Sequence, residues 1–229
     1  MFESPRIAPS ILSADFLHLQ DQIALIEDAG AAYIHVDVMD GHFVPNISIV
    51  IPVVKQLAKI ARIPQDVHLM ISNPLVQLPW FIEAGANMIT THVEAYDSDD
   101  DVFAALEHIH AAGLKAALSV KPKTPVSALA PFIDKLDMAL IMSVEPGFSG
   151  QSYIEGSEQK VAELVALARN AGASPLIQVD GGIVVATVER CAAAGADVFV
   201  CGNAVYAAAD PADALRSIQA LAAAAQTRK

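Results

Sequence analysis

A single-domain (β/α)8 TIM barrel is the fold this sequence predicts, and three observations predict it. Apolar strand-like runs alternate strictly with helical patterns, there are eight of each, and five helical patterns end in Ala-Gly before a strand, at Gly30, Gly85, Gly113, Gly172 and Gly195. Strict alternation implies parallel strands joined by right-handed crossovers. Eight such units close into a barrel. Glycine is the usual residue just past a helix end, where a left-handed backbone is needed.

The elements follow in order. A strand is expected over 6–11 and a helix over 16–28. Strand two, 33–38, follows Gly30 and leads to a helix over 50–61. Strand three, 64–70, has no glycine lead-in, and its helix covers 76–84. Strand four, 87–93, follows Gly85, with a helix over 101–112; strand five, 115–120, follows Gly113, with a helix over 126–132. Strand six, 138–144, again lacks the lead-in and precedes a helix over 158–170. Strand seven, 176–180, follows Gly172, with a helix over 184–194; strand eight, 197–201, follows Gly195, with a last helix over 211–224. An open doubly wound sheet is disfavoured, because the first strand–helix turn, residues 10–15, lacks a Gly-rich dinucleotide fingerprint. No linker or composition break divides the chain, apart from a small Ala-rich tail ending at Lys229, so one catalytic domain over 1–229 is expected.

Composition narrows the function. Apolar residues make up 54% of the 229, enough for a large core. The net charge of -12 argues against nucleic acid as a partner, because an acidic surface repels phosphate backbones. It leaves a phosphorylated metabolite open, since a local pocket of amides overrules a distant field. Cys191 and Cys201 have neither zinc-ligand nor redox spacing and read as buried free thiols, which fits a reducing cytosol. The first nine residues show no signal-peptide pattern, and no apolar run is long enough for a membrane helix. A cytoplasmic protein without membrane contact is expected.

In a barrel, active residues sit at the C-terminal ends of strands. His35, Asp37 and Met39 share one face of strand two, with adjacent members about 6.6 Å apart along the strand. His68 and Met70 share a face of strand three, and Asp180 stands at the lip of strand seven. If these faces point inward, two His and two Asp converge into a mixed N/O site suited to Zn²⁺, Fe²⁺ or Mn²⁺. A single strand His is more often structural, but buried charge is costly unless paired or metal-bound, so four ionisable groups at three strand ends point to function. A second signal is glycine: Gly147 and Gly150 after strand six, Gly181 and Gly182 after strand seven, Gly202 after strand eight. Glycines let backbone N–H groups approach an anion, and a phosphate site after the last strands is a common barrel arrangement. Met39, Met70 and Met142 each fall near a strand end, as core filler or as a dry lid over a ligand.

Longer motifs carry a resemblance. APSILSADF from Ala8, HVDVMDGHFVPN from His35, DVHLM from Asp66, MSVEPGFSGQ from Met142 and VDGG from Val179 together resemble the ribulose-phosphate 3-epimerase family over nearly the whole chain. The resemblance implies reversible conversion of D-ribulose 5-phosphate to D-xylulose 5-phosphate. It implies one divalent metal ion on His35, Asp37, His68 and Asp180, with Asp37 and Asp180 as the two acid–base groups. Ser10 and His68 are then expected on the sugar, and Met39, Met70 and Met142 over the reacting carbons. The phosphate is expected on backbone of Gly147, Phe148, Ser149, Gly150, Gly181, Gly182, Gly202 and Asn203. The chemistry needs such a set independently. Epimerisation removes a proton from one face and returns one to the other, which calls for two opposed bases. The enediolate between carries negative charge that a divalent metal stabilises. A homo-oligomer, dimer or hexamer, is expected.

Several positions depart from the family pattern. Ser149 stands for a glycine, and backbone donation there survives only if this residue needs no positive φ. Asn203 stands for serine, Val93 for proline, Lys121 for asparagine, and Ile49-Val50 for an aromatic–glycine or similar pair. Lys121 reads as a solvated surface charge or as a cation reaching the acidic mouth. Three other functions compete. One is the same reaction on a ketohexose 6-phosphate such as D-allulose 6-phosphate. Another is decarboxylation or condensation of a sugar phosphate, disfavoured because 35–40 lacks the lysine of an Asp-x-Lys-x-x-Asp run. The last is non-catalytic phosphate binding.

Overall fold

Parallel pairing organises the chain. The computed structural model describes residues 5–226. Its strands are β1 Arg6–Pro9, β2 Ile34–Met39, β3 Gln65–Met70, β4 Met88–His92, β5 Lys115–Val120, β6 Met138–Met142, β7 Leu176–Asp180 and β8 Val198–Cys201. They form one eight-stranded sheet in the order β1-β8-β7-β6-β5-β4-β3-β2. The seam between β1 and β2 is bridged by a parallel pair, Ser10 with His35, so the sheet curls into a nearly closed barrel. The helices are α1 Leu19–Asp28, α2 Ile51–Ile60, α3 Pro74–Ala84, α4 Asp99–Ala111, α5 Ser157–Asn170, α6 Val185–Ala194, α7 Asn203–Tyr206 and α8 Pro211–Gln226. All five Ala-Gly glycines take positive φ, between 67° and 113°.

The strands face two ways. One set of side chains joins the helices in a large apolar layer containing Val36, Val67, Ile89, Leu118, Val179 and Phe199. The other set fills the barrel. Ala8, Tyr33, Met88, Ala117, Met138, Val198 and Val200 make an apolar cluster there. His35, Asp66, His68, Thr90, His92, Ser119 and Gln178 are polar yet wholly buried. Buried polar groups need partners, so this layer marks the end of the barrel where chemistry is concentrated.

Several boundaries differ from expectation. The helix expected over 126–132 is two 3-10 turns, Val126–Leu129 and Ile133–Lys135. Only five residues separate Pro125 from Pro131, too few to nucleate an α-helix, and each proline lacks a backbone donor. Residues 16–18 form a 3-10 turn capped by Asp15, which accepts the Leu17 N–H at 2.9 Å, and α1 starts at Leu19. β1 stops at Pro9 and β6 at Met142. The short α7 after β8 was not anticipated. The chain start read for a signal peptide and the tail at Lys229 fall partly in 1–4 and 227–229, outside the described residues. Cys191 and Cys201 are free and buried, as expected. Among the described residues no helix is long and apolar enough to cross a membrane.

Candidate active site

The β2–β3 register sets Asp37 beside His68 and His35 beside Asp66, and β6 sets Met142 beside Asp180. Side chains from β2, β3 and β7 meet inside the barrel mouth, where one donor atom from each of His35, Asp37, His68 and Asp180 lies within 4.8 Å of all the others. His35 Nε2 is 3.2 Å from Asp37 Oδ1 and 4.0 Å from Asp180 Oδ2. His68 Nδ1 is 3.1 Å from Asp37 Oδ1 and 3.8 Å from Asp180 Oδ2. His35 Nε2 is buried without a hydrogen bond. An orphaned imidazole nitrogen aimed at two carboxylates fits a divalent cation of the Zn²⁺, Fe²⁺ or Mn²⁺ kind, and the mixed donor set suits it.

A second layer holds the first. Asp66 Oδ2 faces His35 Nδ1 at 2.9 Å and accepts from Gln178 Nε2 at 2.7 Å, while its Oδ1 accepts from Thr90 Oγ1 at 3.1 Å. A carboxylate behind an imidazole fixes the ring and its tautomer. Ser10 Oγ donates to Asp37 Oδ2 at 2.5 Å, and Ser48 Oγ to the Asp37 carbonyl at 2.6 Å. Ser143 Oγ donates to the carbonyls of Asp180 and Gly181, pinning the β7 tip.

Charge at the cluster is uneven. Burial lowers the His35 pKa, yet Asp37 and Asp66 outweigh it and raise it well above the usual range. Burial raises Asp37, but His35 and His68 hold it well below the carboxylate range. Asp180 is pushed up to about 6 by burial and by Asp37. Negative charge is crowded here in a way that a cation relieves.

Above the cluster lies a cleft of about 180 Å³. Asp37, Asp180 and Ser10 open into it, as do Met39, Met70 and Met142, all three buried. Gly147, Phe148, Ser149, Gly150, Gly181, Gly182, Gly202 and Asn203 line it too. His35 and His68 are fully buried and do not line it, so His68 stands behind Asp37 rather than on the cleft wall. Gly182 has φ 63°, and a Cβ there would run into the Tyr153 backbone.

The departures are accommodated. Among the described residues no non-glycine has positive φ, so Ser149 carries no left-handed strain. Its hydroxyl lies 2.5 Å from Ser13 Oγ and donates to Asn203 Oδ1 at 3.2 Å, joining three loops. Lys121 is neither fully solvated nor a cleft cation: its Nζ sits 3.6 Å over the Phe43 ring. Ile49 is buried and Val50, exposed, precedes α2.

Sequence reasoning missed several supports. Asp40 accepts from the His42 and Phe43 N–H groups and from both the backbone N–H and the hydroxyl of Ser72, tying the β2 loop to the β3 loop. Asn46 Nδ2 donates to the Gly147 carbonyl at 2.8 Å, tying the same loop to the β6 loop. Both lie within HVDVMDGHFVPN, and their Asx chemistry was the available signal. His92 Nε2 meets His68 Nε2 at 2.9 Å, and His92 Nδ1 meets Glu94 Oε2 at 3.3 Å.

A parallel eight-stranded barrel with ionisable side chains and glycine loops gathered at its strand tips is a TIM-barrel enzyme working at its C-terminal face. The chain belongs to the ribulose-phosphate 3-epimerase family, whose profile, described as "Ribulose-phosphate 3 epimerase family", matches residues 6–206. It is an isomerase of that family. It is 47% identical over 221 residues to ribulose-phosphate 3-epimerase of Mycobacterium tuberculosis (strain ATCC 25618 / H37Rv), covering 96% of this chain and 94% of that one. It is 44% identical to the chloroplastic ribulose-5-phosphate-3-epimerase of Arabidopsis thaliana (93% and 76% covered). It is 40% identical to ribulose-phosphate 3-epimerase of Bacillus subtilis (strain 168), with 93% and 98% covered. Among solved structures, KGPDC from Streptococcus mutans in complex with D-R5P matches at TM-score 0.75 with 15% identity, covering 95% and 97%. The 3-hexulose-6-phosphate synthase from Salmonella typhimurium matches at 0.67 with 18% identity, covering 95% and 98%. These two likenesses establish the fold alone.

Proposed function

We propose that this chain interconverts D-ribulose 5-phosphate and D-xylulose 5-phosphate by two-base proton transfer at C3. The observation that carries the reading is the meeting of Asp37 from β2 and Asp180 from β7 at one cluster beneath the cleft. Carboxylates from strands far apart around the barrel flank a flat intermediate, so one takes the proton from one face and the other returns a proton to the opposite face. His35, Asp37, His68 and Asp180 would hold a divalent cation, Zn²⁺, Fe²⁺ or Mn²⁺, which when bound supplies Lewis-acid stabilisation of the enediolate oxygens. Ser10 orients the Asp37 carboxylate through its 2.5 Å hydrogen bond and reaches the sugar from the cleft wall. Met39, Met70 and Met142 keep water from the reacting carbons. Backbone N–H groups of the loops at 147–150, 181–182 and 202–203 take the phosphate, anchoring the substrate while its centre inverts.

The partner in this reading is a small phosphorylated ketose. A reducing, cytoplasmic setting is supported by the two buried free thiols. A homo-oligomer of two or six copies belongs to the same reading, and sedimentation equilibrium tests it, a monomer counting against it. The experiment that tests the function compares turnover on D-ribulose 5-phosphate with turnover on D-allulose 6-phosphate, following solvent deuterium into C3. Preference for the pentulose with deuterium uptake is expected. A strong six-carbon preference, or turnover without uptake, overturns the reading.

A further inference from the structure

Behind the cluster, a chain of buried groups runs outward from His68. Its Nε2 lies 2.9 Å from Nε2 of His92; His92 Nδ1 lies 3.3 Å from Glu94 Oε2; Glu94 Oε1 accepts the Lys121 backbone N–H at 2.7 Å. Both imidazoles are fully buried. They belong to adjacent strands and stack with centroids 5.0 Å apart. Two ring nitrogens at hydrogen-bond distance cannot both carry a proton, nor can both be bare. One must donate, and the rest of the chain decides which.

The direction follows from the outer end. Ionised Glu94 only accepts, so His92 Nδ1 carries the proton that meets it. A neutral His92 then has a bare Nε2, which accepts from His68, so His68 carries its proton on Nε2. That leaves Nδ1 as the nitrogen His68 turns to the cluster, at hydrogen-bond distance from Asp37 Oδ1 (3.1 Å) and 3.8 Å from Asp180 Oδ2, where a cation would take the place of the proton shared with Asp37. Phe43 packs on the His92 ring with centroids 4.9 Å apart, and Lys121 Nζ sits 3.6 Å over the Phe43 ring. His35 has the matching arrangement, with Asp66 behind Nδ1 and Nε2, without a hydrogen-bond partner, facing the cluster. The two histidines present opposite ring nitrogens, and each has a carboxylate at the far end of its support, direct for His35 and one imidazole removed for His68.

We propose that His92 and Glu94 are positioning residues, a relay that fixes His68 in the tautomer whose Nδ1 receives a cation. The proposal rests on the reading of the His–Asp cluster as a cation site. It assigns work to two residues of β4 and its following turn that touch neither the cleft nor the cluster's carboxylates. It also gives Lys121 a role: its main chain fixes Glu94 and its ammonium sits over the Phe43 ring.

Zinc titration of the metal-stripped protein, with ¹⁵N-labelled histidine rings and a competing chromophoric chelator, tests it. The unsubstituted protein is expected to bind one zinc per chain, with His68 bound through Nδ1 and His92 neutral and protonated on Nδ1. Glu94→Gln, which keeps an acceptor for the Lys121 N–H but removes the charge, is expected to weaken zinc about 10- to 100-fold. His92→Leu should weaken it at least as much, while His92→Gln, whose amide oxygen can still accept from His68, recovers part of the loss. Failure of the unsubstituted protein to bind zinc sinks the cluster reading and the relay with it. Tight binding with unchanged affinity in Glu94→Gln sinks the relay alone. So does a zinc-loaded spectrum with the His92 proton on Nε2, which decides the matter however the variants fold.

Discussion

At Asp37 and Asp180 an amide in place of a carboxylate isolates charge from shape, because asparagine fills the same space and cannot take a proton. Asp37→Asn and Asp180→Asn are each expected to lower kcat by a factor on the order of 10²–10⁴ with the barrel still folded. Circular dichroism and turnover measured together check this, and near-normal turnover in either variant refutes the two-base scheme. Asp66 makes a different case. It lies behind His35 and contacts no part of the cleft, so Asp66→Asn should weaken zinc by about 10-fold or more through the loosened ring. Equal zinc affinity by chelator competition would show that the ring is held by packing alone. These residues also show what the sequence could reveal. Period-two alternation put His35, Asp37 and Met39 on one face, so the cluster was legible from strand positions alone. The partners of Asp66 were not, because Thr90 and Gln178 come from other strands and only register brings them close. Lys121 was open in the sequence for a similar reason: its resting place is a ring 78 positions earlier, Phe43, as the two residue numbers show.

Among elements, the loops after β2 and β6 behave as a coupled pair. The Asn46 bond to the Gly147 carbonyl is the tie between them, and Gly147 lines the cleft. Asn46→Ala is therefore expected to raise KM several-fold and to change kcat much less, since the tie orients the anchoring loop and not the carboxylates. A fall in kcat at constant KM would place the effect elsewhere. Gly182 is stricter. Any side chain there meets both a left-handed backbone and the Tyr153 main chain, so Gly182→Ala should cost about 1–3 kcal/mol in urea unfolding, besides displacing the loop. Helix ends with Ala-Gly were legible because the left-handed turn selects glycine chemically. The segment 126–132 misled because its apolar spacing resembles a helix, while the flanking prolines leave room only for 3-10 turns.

Over the whole molecule the barrel was legible because alternation and handedness leave few topologies for eight strand–helix units. The pair that makes its seam was not: Ser10 bridges to His35, and no local pattern announces a single pair. The same long-range ties set how the fold responds to acid. Asp40, whose ordinary value is 3.8, lies at about 2: burial opposes the shift, and the hydrogen bonds from Ser72, His42 and Phe43 bring it about. Glu158 falls from 4.5 to about 2, against burial, through bonds led by Arg190. Glu94 falls equally, against burial, through His92, Thr124 and Lys121. A carboxylate whose folded pKa is depressed stabilises the fold above its unfolded value and loses that contribution as pH falls through the folded one. Each of these groups joins distant loops or helices, so their protonation loosens the barrel mouth and the α5–α6 contact together. Melting temperature of the metal-stripped protein should change little on their account between pH 7 and about 5, then fall steeply from about 4.5 toward 2. Asp40→Asn keeps the side-chain shape but removes one titrating group, so its melting temperature should lie below that of the unsubstituted protein at pH 7 and converge with it near pH 2. Parallel curves across that range would mean that the Asp40 charge contributes nothing to holding the β2 and β3 loops together.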